Sequence, residues 1–160
     1  LGRLDPADAE RSTVYPFVLA AGQRRMFNAN QIFRDPAWRR DDPDGALLVN
    51  PDDLAALGVA DGGWLAVCSE RSRLLVRAKV DDSVLRGQLV LPHGYGQSYP
   101  AADGERLING PRINLLTSGA DRDPVAGTPY HKHVRVRLER ASDAEAARMS
   151  AVATRIHAAA

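Results

Sequence analysis

The stretch "WLAVCSERSRLLVRAKV", residues 64–80, decides the fold class. Leu74, Val76, Ala78 and Val80 recur at every second position with Arg77 and Lys79 between them, the period of a strand with one buried and one solvated face. Trp64–Cys68 is a second apolar run, and the short polar piece Ser69–Arg73 joins the two as a hairpin. The chain is therefore read as mainly β.

Upstream, Asn50 is placed to cap a short helix that has Pro51 at its first position, Asp52 and Asp53 in its first turn, and Gly58 as terminator. It follows a turn cluster, Asp41-Asp-Pro-Asp-Gly45, and a short apolar strand, Ala46–Val49. Another strand is predicted from Tyr15 to Ala20, whereas residues 1–13 are polar and non-periodic and read as a linker or tail. Downstream, Gln88–Leu91 and Val134–Leu138 are strands, separated by a Gly/Pro-rich loop over 92–110 and a polar stretch beyond it. Ser142 with Glu145 forms a capping box, and Met149, Val152 or Ala153, and Ile156 share one face of a C-terminal helix over 141–160. About six short strands with regular turn signals suit a small barrel or sandwich. The βαβ alternation of a Rossmann fold is not found.

With 160 residues, one domain with tails is expected. Twenty-one Lys plus Arg against 20 Asp plus Glu leave a formal charge of +1, so no global field draws the chain to nucleic acid or membrane. Cys68 is the single cysteine, which excludes a disulfide framework and any cysteine-built zinc or iron–sulfur site within this chain. No apolar run approaches the ~20 residues of a bilayer span, and the first residues do not resemble a secretory signal. A cytoplasmic protein is expected. Leu1 stands where a methionine would begin a gene product, so a piece of a longer chain is expected as well.

Motifs for self-contained catalysis are missing: there is no P-loop, no G-x-S-x-G elbow and no H-E-x-x-H. Cys68, in an apolar strand, reads as a buried structural thiol. His131 and His133 could share a metal, but zinc needs three or four ligands and Lys132 lies between them, so an exposed strand start is the better reading. Gly94-Tyr-Gly96 signals a turn, and Asp123–Pro129 is built from turn-formers. Three polar loops stand out, 22–40, 92–100 and 112–132, with amide, guanidinium and hydroxyl groups suited to holding a polar ligand. The first carries Arg24, Arg25, Arg34, Arg39 and Arg40 with Phe27, Phe33 and Trp38, a set that fits a phosphate-bearing cofactor, an acidic partner or single-stranded nucleic acid.

Taken in order, several pieces resemble one family. They are the strand and loop Tyr15–Arg24, Asn28-Ala-Asn-Gln-Ile-Phe-Arg-Asp-Pro36, the 50–62 helix segment, Asp82–Gly87 with Leu91-Pro-His-Gly94, Asn114–Thr117, and Asp123–Pro129 through Lys132. The set resembles the C-terminal molybdopterin-dinucleotide-binding domain of the molybdenum and tungsten oxidoreductases, a group that includes formate dehydrogenases. The resemblance covers roughly residues 14–140. It implies a six-stranded double-psi β-barrel with flanking helices that covers a molybdopterin guanine dinucleotide carrying Mo or W. Preceding domains would supply the metal ligand, the catalytic residues and an iron–sulfur cluster, and electron-transfer subunits would be partners. No catalytic or metal-ligating residue is then expected in this chain. By resemblance the cofactor-binding positions are Gly22, Gln23, Arg24, Asn30, His93, Asn114 and Lys132. Two departures from the family pattern are visible: Gln23 stands where arginine is frequent, and the loop from Gln97 to Gly110 is lengthened by Ala102–Arg106. The alternative reading is a nucleic-acid-binding barrel that uses the arginines of 22–40.

Overall fold

The computed structural model describes residues 6–21, 42–101 and 103–158. Gly22, Gln23, Arg24 and Asn30, and with them the arginine-rich stretch, lie outside the described residues.

Six strands close into a barrel: β1 (Phe17–Ala21), β2 (Leu47–Val49), β3 (Trp64–Cys68), β4 (Arg73–Val80), β5 (Gln88–Leu91) and β8 (Val134–Arg140). Around the wall their order is β1, β5, β2, β4, β3, β8, and β8 returns to β1. The pairs β1–β5 and β2–β4 are parallel and the remaining pairs antiparallel. Two parallel crossovers within one closed sheet match the double-psi barrel expected from the resemblance. Alternate residues of the strands fill the interior: Leu19, Leu47, Val49, Leu65, Val67, Leu89 and Val136 are wholly buried. Truncating one such leucine to alanine removes ~2–5 kcal/mol by lost transfer and the cavity left behind.

Helix α2 (Pro51–Ala56) is capped as its sequence predicts, the Asn50 side chain accepting from the Asp52 N–H. The buried Asp53 carboxylate accepts from the Gly87 N–H at 2.7 Å and so fixes α2 against the turn before β5. Helix α3 (Asp143–His157) begins with the Ser142–Glu145 capping box and buries Ala153 and Ile156. Trp64 Nε1 donates to Ser150 Oγ at 2.9 Å, and Arg73 grips Glu145 at 2.6 and 3.2 Å, tying α3 to the barrel.

Three elements depart from what the sequence alone predicts. Pro6–Val14 is helical (α1) although it lacks an apolar periodicity; Arg11 holds it to Glu70 at 2.9 and 3.2 Å, and the adjoining Tyr15 ring lies 5.6 Å from the Arg137 guanidinium. The Gly/Pro-rich region 92–110 contains a hairpin, β6 (Gln97–Pro100) with β7 (Arg106–Asn109). This hairpin packs on α3 through Ala101, Leu107 and Ile156, and Arg155 meets Asp103 and Glu105, each at 2.6 Å. Its stability comes from that partner helix rather than from local alternation.

Candidate binding site at one end of the barrel

Parallel pairing sets Ala21 opposite Leu91, and antiparallel pairing sets Leu19 opposite Val134. The chain therefore leaves β1 and β5 and enters β8 at the same end of the barrel. Strand β2, antiparallel to β5, also begins there. The loop after β5 and the segment entering β8 are thus brought by topology to one rim, where β1 also ends.

His93 follows β5 directly. Its imidazole is partly buried, with a ring centroid 6.2 Å from that of His131. His131 is fixed in turn: its carbonyl accepts from the Ala21 N–H at 3.0 Å, and its Nδ1 lies 2.9 Å from the Pro129 carbonyl. Burial first, and then the charges of His131 and Lys132, hold His93 below the usual histidine range. At neutral pH it is a neutral imidazole with one donor and one acceptor.

Asn114 lies on a 3-10 turn, Ile113–Leu115. Together with His93 it lines an open cleft of about 470 Å³. Arg112 fixes this turn to the loop after β5 by donating from Nε to the Gly96 carbonyl at 2.8 Å. Gly96 has φ +76°, and a Cβ there would sit 2.3 Å from Arg112 Cγ and 2.9 Å from its backbone nitrogen, so this close approach demands glycine. At the far end of the turn the Arg71 guanidinium donates to the Thr117 carbonyl. The Asn114 amide makes no hydrogen bond and Lys132 forms no ion pair among the described residues, so both are available to a ligand.

Of the positions expected from the resemblance, His93 and Lys132 act on each other electrostatically, and His93 and Asn114 share one cleft. His131, which the sequence reading weighs with His133 as a metal pair and then treats as part of an exposed strand start, is instead partly buried and lies against His93. The neighbouring Tyr-His-Lys-His pattern is its only sequence signal. Cys68 is buried and its thiol is pushed up chiefly by burial, as a structural cysteine. No group of three or more His, Cys, Asp or Glu able to hold a metal is found among the described residues. No described helix is long and apolar enough to cross a membrane.

Residues 17–135 match the Molydopterin dinucleotide binding domain, and the chain belongs to that family. Acetylene hydratase of Syntrophotalea acetylenica is 33% identical over 89 residues, which make up 55% of this chain and 12% of that protein. The dimethyl sulfoxide/trimethylamine N-oxide reductase of Rhodobacter capsulatus is 40% identical over 99 residues, 59% of this chain and 11% of the relative. The F420-dependent formate dehydrogenase subunit alpha of Methanocaldococcus jannaschii is 23% identical over 137 residues, 79% of this chain and 17% of the relative. A solved structure, acetylene hydratase from Pelobacter acetylenicus, has the same fold, with a TM-score of 0.69 at 22% identity over 87% of this chain and 20% of that one. The chain spans between a tenth and a fifth of the length of these relatives.

The donor set fits a pterin-type ligand. Such an edge offers alternating donors and acceptors, which the Asn114 amide and the neutral His93 imidazole complement, while Lys132 supplies positive charge.

Proposed function

We propose that this chain is the module that closes over the molybdopterin guanine dinucleotide of a larger molybdenum or tungsten oxidoreductase. The observation that carries the reading is the convergence of His93, Asn114, His131 and Lys132 at the barrel end where β1 finishes at Ala21. The family match supports it.

In this reading Asn114 and His93 hydrogen-bond the pterin edge, Lys132 faces negative charge on the ligand, and Gly22, Gln23, Arg24 and Asn30 complete the contact from the segment after β1. The cofactor, when bound, supplies the two-electron chemistry. This chain contributes binding, orientation and a fixed electrostatic surround. A neutral His93 beside cationic Lys132 separates two tasks, hydrogen bonding and charge compensation, that a single residue would combine.

The relatives are named as a hydratase, a reductase and a dehydrogenase, so a shared module accompanies differing reactions. Substrate choice accordingly lies in other domains, with formate or an oxo-transfer substrate as the proposed class. Those domains would also supply an iron–sulfur cluster and the metal ligand, since Cys68 is buried in a strand. The barrel unit is taken as 14–140 with 1–13 as its lead-in and 141–160 as a docked helix, and a cytoplasmic location with electron-transfer partner subunits completes the proposal. No observation among the described residues favours the nucleic-acid reading.

The test is metal and pterin analysis of the full-length protein that contains this domain. Stoichiometric Mo or W with pterin is expected, reduced severalfold by Asn114→Ala or Lys132→Gln. A full-length protein that purifies without metal or pterin from cells able to make the cofactor would overturn the reading in favour of a barrel serving only protein contacts.

A further inference from the structure

A second cavity, of about 540 Å³, lies at the β8 and β3–β4 hairpin side of the barrel, with no lining residue in common with the His93 cleft. The chain segments between the two are shared as a wall: Asn114 and Leu115 line the cleft while Leu116 and Ser118 line the cavity, and Tyr130 and His133 line the cavity while His131 lies against His93.

The charge in this cavity is not balanced. Arg11, Arg71, Arg122 and Arg135 line it, against the carboxylates Glu70 and Asp121. Both carboxylates are engaged by Arg11, at 2.9 and 3.6 Å. Arg71 is held on the Thr117 carbonyl. Arg122 and Arg135 form no ion pair among the described residues, and the Arg135 Nε is buried without a hydrogen-bond partner. A buried guanidinium N–H without an acceptor is costly unless a ligand satisfies it.

Neutral donors converge on the same space. The Ser69 and Ser118 oxygens accept from backbone N–H groups of Arg71 and Ala120, at 3.2 and 3.1 Å, which leaves each hydroxyl hydrogen free to donate. The floor is apolar, with Leu116 and Val134, and the Tyr130 ring stands at the edge.

We propose that this cavity is a site for a small phosphate-bearing molecule, separate from the dinucleotide. Guanidiniums from a hairpin, a loop and a strand line one cavity, and donors from several elements suit a tetrahedral oxyanion, where a single planar carboxylate would satisfy only one of them. The apolar floor accepts the rest of the ligand, and the volume is that of a small-molecule pocket. Phosphate binding here is argued without the His93 side, and only its separateness from the dinucleotide rests on the proposed function.

The experiment is calorimetric titration of the full-length, cofactor-loaded protein with inorganic pyrophosphate. Saturable binding is expected, weakened at least tenfold by Arg135→Gln and by Arg122→Gln and weakened further by raised salt, with metal and pterin content unchanged. Arg122 is on an exposed loop, so its variant tests the site even where Arg135→Gln lowers expression. No binding to the loaded wild-type protein, binding indifferent to both substitutions, or a fall in pterin content in Arg122→Gln would each overturn the proposal. The last of these results would assign the cavity to the dinucleotide itself.

Discussion

The Tyr95 hydroxyl donates to the Asp42 carbonyl at 2.6 Å, and both residues are buried. This bond ties the loop after β5 to the residues through which the polar segment leads into β2. Gly45 and Gly110 flank the ring, each with positive φ, and a Cβ at Gly45 would lie 2.6 Å from Tyr95 Cγ. The Asp42 carboxylate completes the joint by accepting from the Ala46 N–H at 2.8 Å.

Removing only the hydroxyl, in Tyr95→Phe, leaves a buried carbonyl short of a donor and should lower stability by about 1–3 kcal/mol. Gly45→Ala combines a left-handed backbone with a clash against the ring and should cost about 1–3 kcal/mol or more. Chemical denaturation of the two variants measures both. Wild-type stability in Gly45→Ala would show that the Tyr95 ring is not fixed between the two glycines.

His93 should titrate below 6.5, its ordinary value, when followed by histidine NMR in the folded domain. Because burial is the leading cause, Lys132→Gln should recover only a minor part of the shift. The folded state binds its proton at lower pH than the unfolded state, so stability should fall as pH drops below the unfolded value and level off once the folded imidazole is also protonated. A His93 midpoint above 6.5 would contradict the burial and the neighbouring cation together.

Gly96→Ala should shift the turn that carries Asn114, because the added methyl meets the Arg112 backbone as well as its flexible side chain. A destabilisation of about 1–3 kcal/mol is expected, with severalfold lower pterin content in the full-length protein. Arg112→Lys removes the Nε donor to Gly96 and should reduce pterin content in the same direction by a smaller factor. Full pterin content in a folded Gly96→Ala protein would separate Asn114 from the cofactor.

At the start of α3, the Arg73 guanidinium foremost, and then the Ser142 backbone and hydroxyl, hold the Glu145 carboxyl down at about 2. Its contribution to stability is complete above the ordinary carboxylate range and is lost as pH falls toward 2. Ser142→Ala should cost about 0.5–2 kcal/mol as a lost cap. Arg73→Gln should return Glu145 toward its ordinary range in an NMR pH titration, an outcome the cap alone would not produce.

The hairpin 64–80, helix α2 with its Asn50 cap, and the capping box of α3 were legible because each is encoded locally, by strand alternation or by cap chemistry at fixed spacing. The barrel's strand order was not legible from the residues by themselves. β1 pairs with β5 across some seventy residues, and nothing in Phe17–Ala21 names Gln88–Leu91 as its partner; only the resemblance supplied that topology. The β6–β7 hairpin was hidden because Gln-Ser-Tyr-Pro and Arg-Leu-Ile-Asn lack alternation and depend on α3 for their apolar contact. At the site, His93, Asn114 and Lys132 carried over from the resemblance, and the structure places them at one rim. Gly94-Tyr-Gly96 signals only a turn, and the role of Tyr95 appears when Asp42, far away in sequence, is brought to its hydroxyl.

Asp44 pairs with the Arg77 guanidinium on the barrel, its carboxylate 3.2 Å from Nε, and lies 3.0 Å from His157 Nε2 at the last turn of α3. The closing helix is thus latched to the residues next to Tyr95. For anyone cutting or tagging this domain, a boundary drawn at the end of β8, where the barrel itself is complete, would leave Asp44 without its His157 partner and the β6–β7 hairpin without its apolar support. An appended tag therefore belongs beyond His157, never in place of it.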